Sequence, residues 1–589
     1  MQFVSQGTDP ASDLYKFADE MRFGGKKLSA ISLGQGQGPR AEELMRAAMD
    51  RGIWVFFQNC HLAPSWMPAL ERLVEQIDKD RVHRDFRLWL TSMPSPDFPV
   101  FILQNGSKMT VEPPKGLKAN LMRTYNSIND QYLANVADKN SIFRHLLLSL
   151  AFFNGVLIER KKFGPLGFNI PYEFTMGDLR ICMDQLVMFL TEYAITPYKV
   201  LCYTAGHINY GGRITDDWDR RCAMSILGEY YNNRVLQDDY SYSPSNTYHQ
   251  LPGTTDHATY LEYIRSLPIN DPPEIFGLHE NANITFAQNE TFTLLGNLLK
   301  LQPRSSPGGG AGQQREDVVE EISRSLLVKT PNPFNLAEVV QRYPVMYEQS
   351  MNTVLTQEVI RYNNLLTVIH ATLNDLLKAL KGLVVMSASL EEMAGSLFNN
   401  RVPTIWANKA YPSLKPLAAW VEDLILRVEF INYWIENGIP SVFWISGFYF
   451  PQAFLTGTLQ NYARKKLISV DTISFDFQVS QLVQSKHNYI RGLFLEGARW
   501  DFQRHLLGES RPKELYVNMP VIWLIPVAHR KPPTKGSYEC PVYKTLTRAG
   551  TLSTTGHSTN FVFAIDIPTD KEEKHWIQRG VALLCALNY

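Results

Sequence analysis

Holding a magnesium triphosphate on a parallel sheet requires particular residues at the strand ends. They are a glycine-rich loop with Lys and Ser or Thr after one strand, adjacent carboxylates after a second, and a polar sensor after a third. In this chain the first position reads Gly7-Thr-Asp-Pro-Ala-Ser-Asp-Leu14. Gly7, Thr8, Asp9, Pro10 and Ser12 stand where phosphates would be cradled, but no lysine is among them. Asp9 and Asp13 repel phosphate, and Pro10 removes an amide donor. The strand at Trp54-Val-Phe-Phe-Gln-Asn-Cys60 ends in neutral Gln58 and Asn59 where the metal ligand and the water-polarising acid belong. Phe86 to Leu90 leads into Thr91-Ser92-Met93-Pro94. Thr91 and Ser92 there suit a γ-phosphate sensor or, more simply, a turn. A lost charge-assisted hydrogen bond costs about 1.5 to 3 kcal/mol. Losing both the lysine and the metal carboxylate therefore weakens nucleotide binding by several powers of ten and abolishes hydrolysis. The expectation is a chain with no catalytic, nucleotide-binding or metal-binding residue of its own.

Other clusters offer weaker chemistry. Gly34-Gln-Gly36-Gln-Gly38 precedes a helical pattern and reads as a plain loop. An independent NTPase would have to bind phosphate there, with Mg²⁺ on unassigned acids. Asp216, Asp217 and Asp219 with His207 resemble a metal or acid-base cluster. They also suit a glycine-rich turn entering a helix, with first-turn acids on the helix dipole and Arg220 and Arg221 pairing them, which is the reading taken. The six cysteines (Cys60, Cys182, Cys202, Cys222, Cys540, Cys585) include no C-x-x-C pair, which argues for reduced thiols and against a zinc site or disulfide framework. Sequons begin at Asn105, Asn283 and Asn289, but the N-terminus shows no apolar secretory core, so they are read as chance.

The elements that must position these residues follow from patterning. Short apolar runs at Gln2 to Ser5, Ser29 to Ser32, Ile53 to Gln58 and Phe86 to Thr91 alternate with helical patterns at Asp9 to Phe23, Pro39 to Asp50 and Trp66 to Ile77. That alternation predicts a parallel sheet covered on both faces. Leu117 to Lys300 is mostly helical in pattern, and Arg304 to Glu316 (RSSPGGGAGQQRE) has a loop composition. Leu355, Val359, Tyr362, Leu366, Ile369, Leu373, Leu376 and Leu380 form one stripe, read as a long helix docked inside a domain rather than a coiled-coil seam. Helix continues to about Ile435. Tyr516 to Val527, Val542 to Leu546 and Asn560 to Ile567 then predict a small antiparallel sheet or barrel.

A chain of 589 residues exceeds the roughly 250 to 300 that one core supports, so several domains are expected. Lys plus Arg equals Asp plus Glu, 58 each, leaving no bulk field to draw nucleic acid or an anionic membrane. The uncharged run Asn437 to Ala463 is long enough to span a bilayer, but Gly438, Pro440, Gly447, Pro451 and Gly457 break it as a helix.

Four long stretches in register resemble the dynein heavy chain family. Gly52 to Trp66 with Phe86 to Pro94 resembles its sixth AAA+ module; Phe163 to Phe174, Gly206 to Arg221 and Ser446 to Arg464 follow in the same order. The ending, Gly556 to Ile565 and His575 to Tyr589, looks more like ciliary than cytoplasmic members. The resemblance implies an α/β AAA+-type parallel-sheet module with a helical lid, followed by an α+β C-terminal domain. Its expected divisions are 1–120 (large α/β subdomain), 121–300 (lid), 301–320 (flexible Gly/Ser/Pro loop), 321–470 (helical part) and 471–589 (β-rich part). It also implies a segment of a minus-end-directed microtubule motor that drives ciliary or flagellar movement, located in cytoplasm, cytoskeleton and axoneme. Implied partners are the other AAA+ modules of the ring, intermediate and light chains, and microtubules indirectly, with no nucleic acid and no membrane. ATP and Mg²⁺ would serve modules outside this sequence, since family members are several times longer; this sequence is expected to be a fragment, a short gene model or a short isoform. A free-standing adaptor or scaffold remains the other reading.

Overall fold

The computed structural model describes residues 2–4, 10–34, 36–78, 81–93, 95, 98–111, 113–301, 311–480, 488–533, 535–550 and 559–589. Its first unit has strands β1 (Gln2–Val4), β2 (Leu28–Ser32), β3 (Trp54–Gln58), β4 (Arg87–Ser92) and β5 (Met109–Val111), with helices α1 (Ala11–Glu20), α2 (Gly38–Arg51), α3 (Met67–Glu75) and α4 (Val100–Asn105). The strands lie in the order β2-β3-β4-β1-β5, every pairing parallel. The connection from β1 passes β4 and β3 to reach β2, whereas that from β4 passes β1 to reach β5, so the crevice of such a sheet lies at the carboxyl ends beside β1.

β3 shows why the sheet must be covered on both sides, because four of its five residues are buried. Val55 and Phe57 pack with Met45, Ala48 and Leu70 from α2 and α3. Trp54 and Phe56 turn to the other face, where Phe23 stacks on Trp54 at 4.8 Å and Tyr15 of α1 meets Phe56 edge-on at 6.3 Å. Gly52, at φ +70°, ends α2 in the left-handed region and returns the chain to β3.

The second unit is helical: α5 (Leu117–Asn126), α6 (Asp130–Leu133), α7 (Asn140–Arg160), α8 (Met176–Glu192), α9 (Tyr198–Tyr203), α10 (Asp217–Tyr230), α11 (His257–Ser266) and α12 (Ala282–Leu301). α7 is its axle, with Phe143, Leu146, Leu147, Leu150, Phe153 and Leu157 all at most 1% exposed. By length and hydropathy the stretch from Asn140 to Leu166 could cross a bilayer, but 78% of its apolar window is buried inside the protein, the position of a core helix. The Gly206 segment is a π-helical turn, Thr204–Asn209, continuing α9 rather than an open turn. A Cβ at Gly206 would collide with Met224 of α10, so glycine permits the close approach there.

The third unit begins with α13 (Ala311–Lys329), α14 (Leu336–Arg342), α15 (Ser350–Leu380), α16 (Ala388–Phe398), α17 (Thr404–Ala407), α18 (Leu417–Asn437) and α19 (Pro451–Lys466). The loop expected over 301–320 is corrected in its second half. Helix starts at Ala311 because Gln, Arg and Glu propagate it readily and Val319 anchors it in the core at 1% exposure; residues 302–310 lie outside those described. α15 is a docked helix, its stripe from Leu355 to Leu376 at most 1% exposed. The uncharged run at Asn437 to Ala463 is the end of α18, a short strand and α19, and Phe443, Phe448 and Phe454 pack on one another and on Trp434 as ordinary core.

The remaining strands are β6 (Val442–Trp444), β7 (Ile473–Ser480), β8 (Asn488–Arg491), β9 (Phe494–Glu496), β10 (Arg499–Asp501), β11 (Leu506–Gly508), β12 (Tyr516–Asn518), β13 (Val521–Ala528), β14 (Ser537–Tyr543), β15 (Phe561–Pro568) and β16 (Ala582–Leu584), with α20 (Glu573–Gln578) before the last. They form two sheets, β6-β8-β13-β7 and β12-β9-β16-β14-β15, and a β10-β11 ribbon, where a single antiparallel sheet or barrel was expected. Each sheet contains one parallel pairing, β6 with β8 and β14 with β16, because a strand distant in sequence inserts beside strands already joined by turns.

Replacing Leu366, fully buried in α15, with Ala should cost about 2 to 5 kcal/mol. Denaturant unfolding followed by circular dichroism measures it; a loss under about 0.5 kcal/mol, the level of a surface site, would contradict the docked arrangement.

Candidate functional site

Of the expected site residues, Gln58, Asn59, Thr91 and Ser92 come together at the carboxyl ends of β3 and β4. Gln58 closes β3, and its carbonyl accepts from the Leu33 amide at 2.9 Å. Asn59 adopts φ +55°, turning the backbone away from the sheet. Its amide donates to Thr91 Oγ1 at 3.2 Å, and its Nδ2 donates to Ser32 Oγ at 3.3 Å. Thr91 and Ser92 are the last two residues of β4, not a turn, and are 5% and 1% exposed. Ser92 Oγ donates to the Met93 carbonyl at 2.8 Å. Pro94 lies outside the described residues.

Of the phosphate-loop positions, Gly7, Thr8 and Asp9 fall outside the described residues. Pro10 caps the start of α1 without a side-chain hydrogen bond, its carbonyl accepting from Leu14, and Ser12 lies in the first turn. The strand ends thus direct their polar groups at one another: Ser32, Asn59 and Thr91 cross-link β2, β3 and β4. Among the described residues no group of three His, Cys, Asp or Glu gathers as a metal site would require.

His61, which the sequence reading passed over, joins this network. Its Nδ1 accepts from the Met93 amide at 3.1 Å, and burial holds its pKa below the ordinary value, opposed by the nearby Glu173 of the helical unit. The adjacent Cys60 is inert, since burial raises its thiol to about 12.

The Asp216 to Asp219 cluster is structural, and the expected arginine pairing is corrected. Asp216 caps α10, accepting from the amides of Trp218 at 2.9 Å and Asp219 at 3.1 Å. Asp219 accepts from the amides of Asn169 at 2.8 Å and Ile170 at 3.1 Å. Arg220 instead donates to the carbonyls of Gly211 and Ile214, and Arg221 to the Glu539 carbonyl and Glu573. His207 sits on the π-helical turn against Tyr203, away from these acids. Backbone amides, at the start of α10 for Asp216 and from Asn169 and Ile170 for Asp219, take the place the arginines were expected to fill, and the arginines reach other acceptors.

Arg221 leads to a seam between the helical unit and the last elements of the sequence, centred on Arg160. This guanidinium is fully buried and donates to the carbonyls of Gly167 (3.1 Å), Leu166 (3.3 Å), Gln578 (3.1 Å) and Phe276. Gln578 returns a bond to the Ser225 carbonyl at 3.1 Å, and Asn281 Nδ2 reaches the carbonyls of Arg511 and Glu514. A Cβ on Gly580 would collide with the Leu166 backbone, so the two segments meet at van der Waals distance. The one sequence hint of this hub was a cation closing the apolar helix α7.

A parallel sheet in the order β2-β3-β4-β1-β5, with a helical unit following, has the layout of a P-loop module of the AAA+ class with its lid. Family models extend the assignment. The region D6 P-loop domain of dynein heavy chains matches residues 1–110, their AAA lid domain matches 143–282, and their C-terminal domain matches 288–585. The protein belongs to the dynein heavy chain family, and it corresponds to the C-terminal part of the axonemal members. It is 66% identical over all of its length to dynein axonemal heavy chain 1 of Homo sapiens, covering 14% of that protein. It is 51% identical over 99% of its length to dynein axonemal heavy chain 3 of Mus musculus, and 48% over 99% to dynein axonemal heavy chain 12 of Mus musculus, covering 14% and 19% of those proteins.

Arg160→Met should leave four carbonyls without this donor and destabilise the protein by at least about 4 kcal/mol, taking roughly 1 to 3 kcal/mol for each buried group left unsatisfied. Hydrogen exchange over residues 577–584 should accelerate; unchanged protection there would show that the guanidinium does not hold the seam.

Proposed function

We propose that this protein is a framework and regulatory segment of a minus-end-directed microtubule motor in the axoneme of cilia or flagella, contributing no ATPase site itself. The AAA+ module would complete a ring beside a hydrolysing module, and the C-terminal domain would stiffen that ring. Its neighbours would be the other AAA+ modules, with intermediate and light chains joined through the parent complex and microtubules engaged only indirectly. ATP and Mg²⁺ would serve modules outside these 589 residues. The observation that carries the reading is the electrostatics of the crevice. Gln58 and Asn59 stand where Mg²⁺ needs an anion, the loop from Gly7 to Leu14 has no lysine, and Asn59 and Thr91 bond to one another. The sequence after β1 supplies Asp9 and Asp13 and no lysine, a composition that repels a triphosphate.

Titration of the purified protein with a fluorescent ATP analogue should give no saturable binding below millimolar concentration, and added microtubules should elicit no ATP turnover. Micromolar binding with turnover would overturn the proposal and favour an independent NTPase. Converting Gln58→Asp with Asn59→Glu should not create activity, because the cation of the phosphate loop is still missing; a phosphate-release assay on that double variant checks this.

A further inference from the structure

Asp216 and Asp219 lie where the lid meets the C-terminal domain, and they are 0% and 3% exposed. Asn169 connects them to the other side. Its backbone amide bonds Asp219, and its Nδ2 lies 3.4 Å from Asp216 Oδ1 and 2.8 Å from the Tyr543 hydroxyl of β14. Tyr172 closes the same network, its hydroxyl oxygen accepting from the Asp216 amide at 3.1 Å.

What surrounds the two carboxyls is dipolar, not cationic. The four amides of Trp218, Asp219, Asn169 and Ile170, the Asn169 side-chain amide, the Tyr172 hydroxyl beside Asp219 and the start of α10 favour negative charge, but none of them carries a full positive charge. The arginines within reach are committed elsewhere: Arg220 to Gly211 and Ile214, Arg221 to Glu539 and Glu573, Arg160 to the seam carbonyls, and Arg548 to Glu496 at 2.6 Å. The other titratable groups facing the pair are Tyr172, Tyr543 and Cys222, none of which carries positive charge. Asp216 Oδ2 is buried with no hydrogen-bond partner among the described residues, an unsuitable place for half of a carboxylate charge. Two like charges this close in a desolvated seam do not both ionise readily.

We propose that Asp216 and Asp219 form a proton-linked joint between the lid and the C-terminal domain. With a proton on Asp219, the pair fixes Asn169 for its bond to Tyr543. When that proton leaves for solvent, the two carboxylates repel and the joint loosens. Burial, and then the charge of Asp216, raise Asp219 to about 7, which places the change near neutrality. A carboxyl held above its unfolded-state value adds stability that is complete below that lower value and is lost as pH rises through about 7.

The test uses the whole protein and three readouts between about pH 6 and about pH 8, the interval that brackets the transition. Infrared difference spectra should show a protonated-carboxyl band that disappears as pH rises and is absent from Asp219→Asn. The unfolding midpoint of the unmodified protein should fall across that interval, whereas Asp219→Asn, which has no proton to lose at this position, should remain nearly flat. Hydrogen-exchange protection over residues 541–545, corrected for intrinsic rates, should fall about tenfold in the unmodified protein and stay constant in Asp219→Asn. A spectrum with no protonated carboxyl at the acid end, or the same slope in both proteins, would overturn the proposal. The infrared measurement on the unmodified protein decides it even where a variant fails to fold.

Discussion

A buried guanidinium without a carboxylate in hydrogen-bonding contact sets the terms for half of this molecule. Arg160 closes the most apolar helix of the lid, and its charge is dispersed over carbonyls from the turn at Leu166 and Gly167, from Phe276, and from Gln578 near the last residues of the sequence. Those carbonyls come from segments hundreds of residues apart, so each must be in place before the charge is solvated. The consequence is a lid and a C-terminal domain that hold one another's geometry. β16, which follows α20, then runs through the middle of a five-stranded sheet between β9 and β14.

The crevice of the parallel sheet follows the opposite logic. Its topology would present strand ends to a nucleotide, but the side chains there bond to one another: Asn59 to Thr91 and Ser32, His61 to Met93. Neutral donors and acceptors satisfy themselves at about 3 Å, whereas a triphosphate and its metal would need full charges to displace those bonds. On the function proposed above, the sheet serves by its shape, two hydrophobic faces and a fixed crevice.

The seam also explains why the acidic turn before α10 resisted a correct reading of its partners. Three aspartates followed by two arginines suggest ion pairs along the backbone, but a helix start offers amides at no cost in reach, and the arginines extend past the acids to acceptors elsewhere, for Arg221 in the C-terminal domain. The pairing is decided by which acceptor lies across the seam.

Local pattern alone determined much here. Apolar runs separated by helical periods announced the parallel sheet, because a strand such as Trp54 to Gln58 must be covered on both faces. The four-and-three spacing from Leu355 to Leu376 announced a docked helix. Tertiary structure alone decided the rest. The segment from Ala311 is helical because Val319 found a core, and the final strands divide into two sheets because β6 and β16 insert in parallel beside distant partners. Arg160, His61 and the Asp216–Asp219 pair gained their roles from neighbours that sequence spacing does not record. Periodicity reports which face of an element is buried; it carries no information about what that face, or a lone charge within it, will meet.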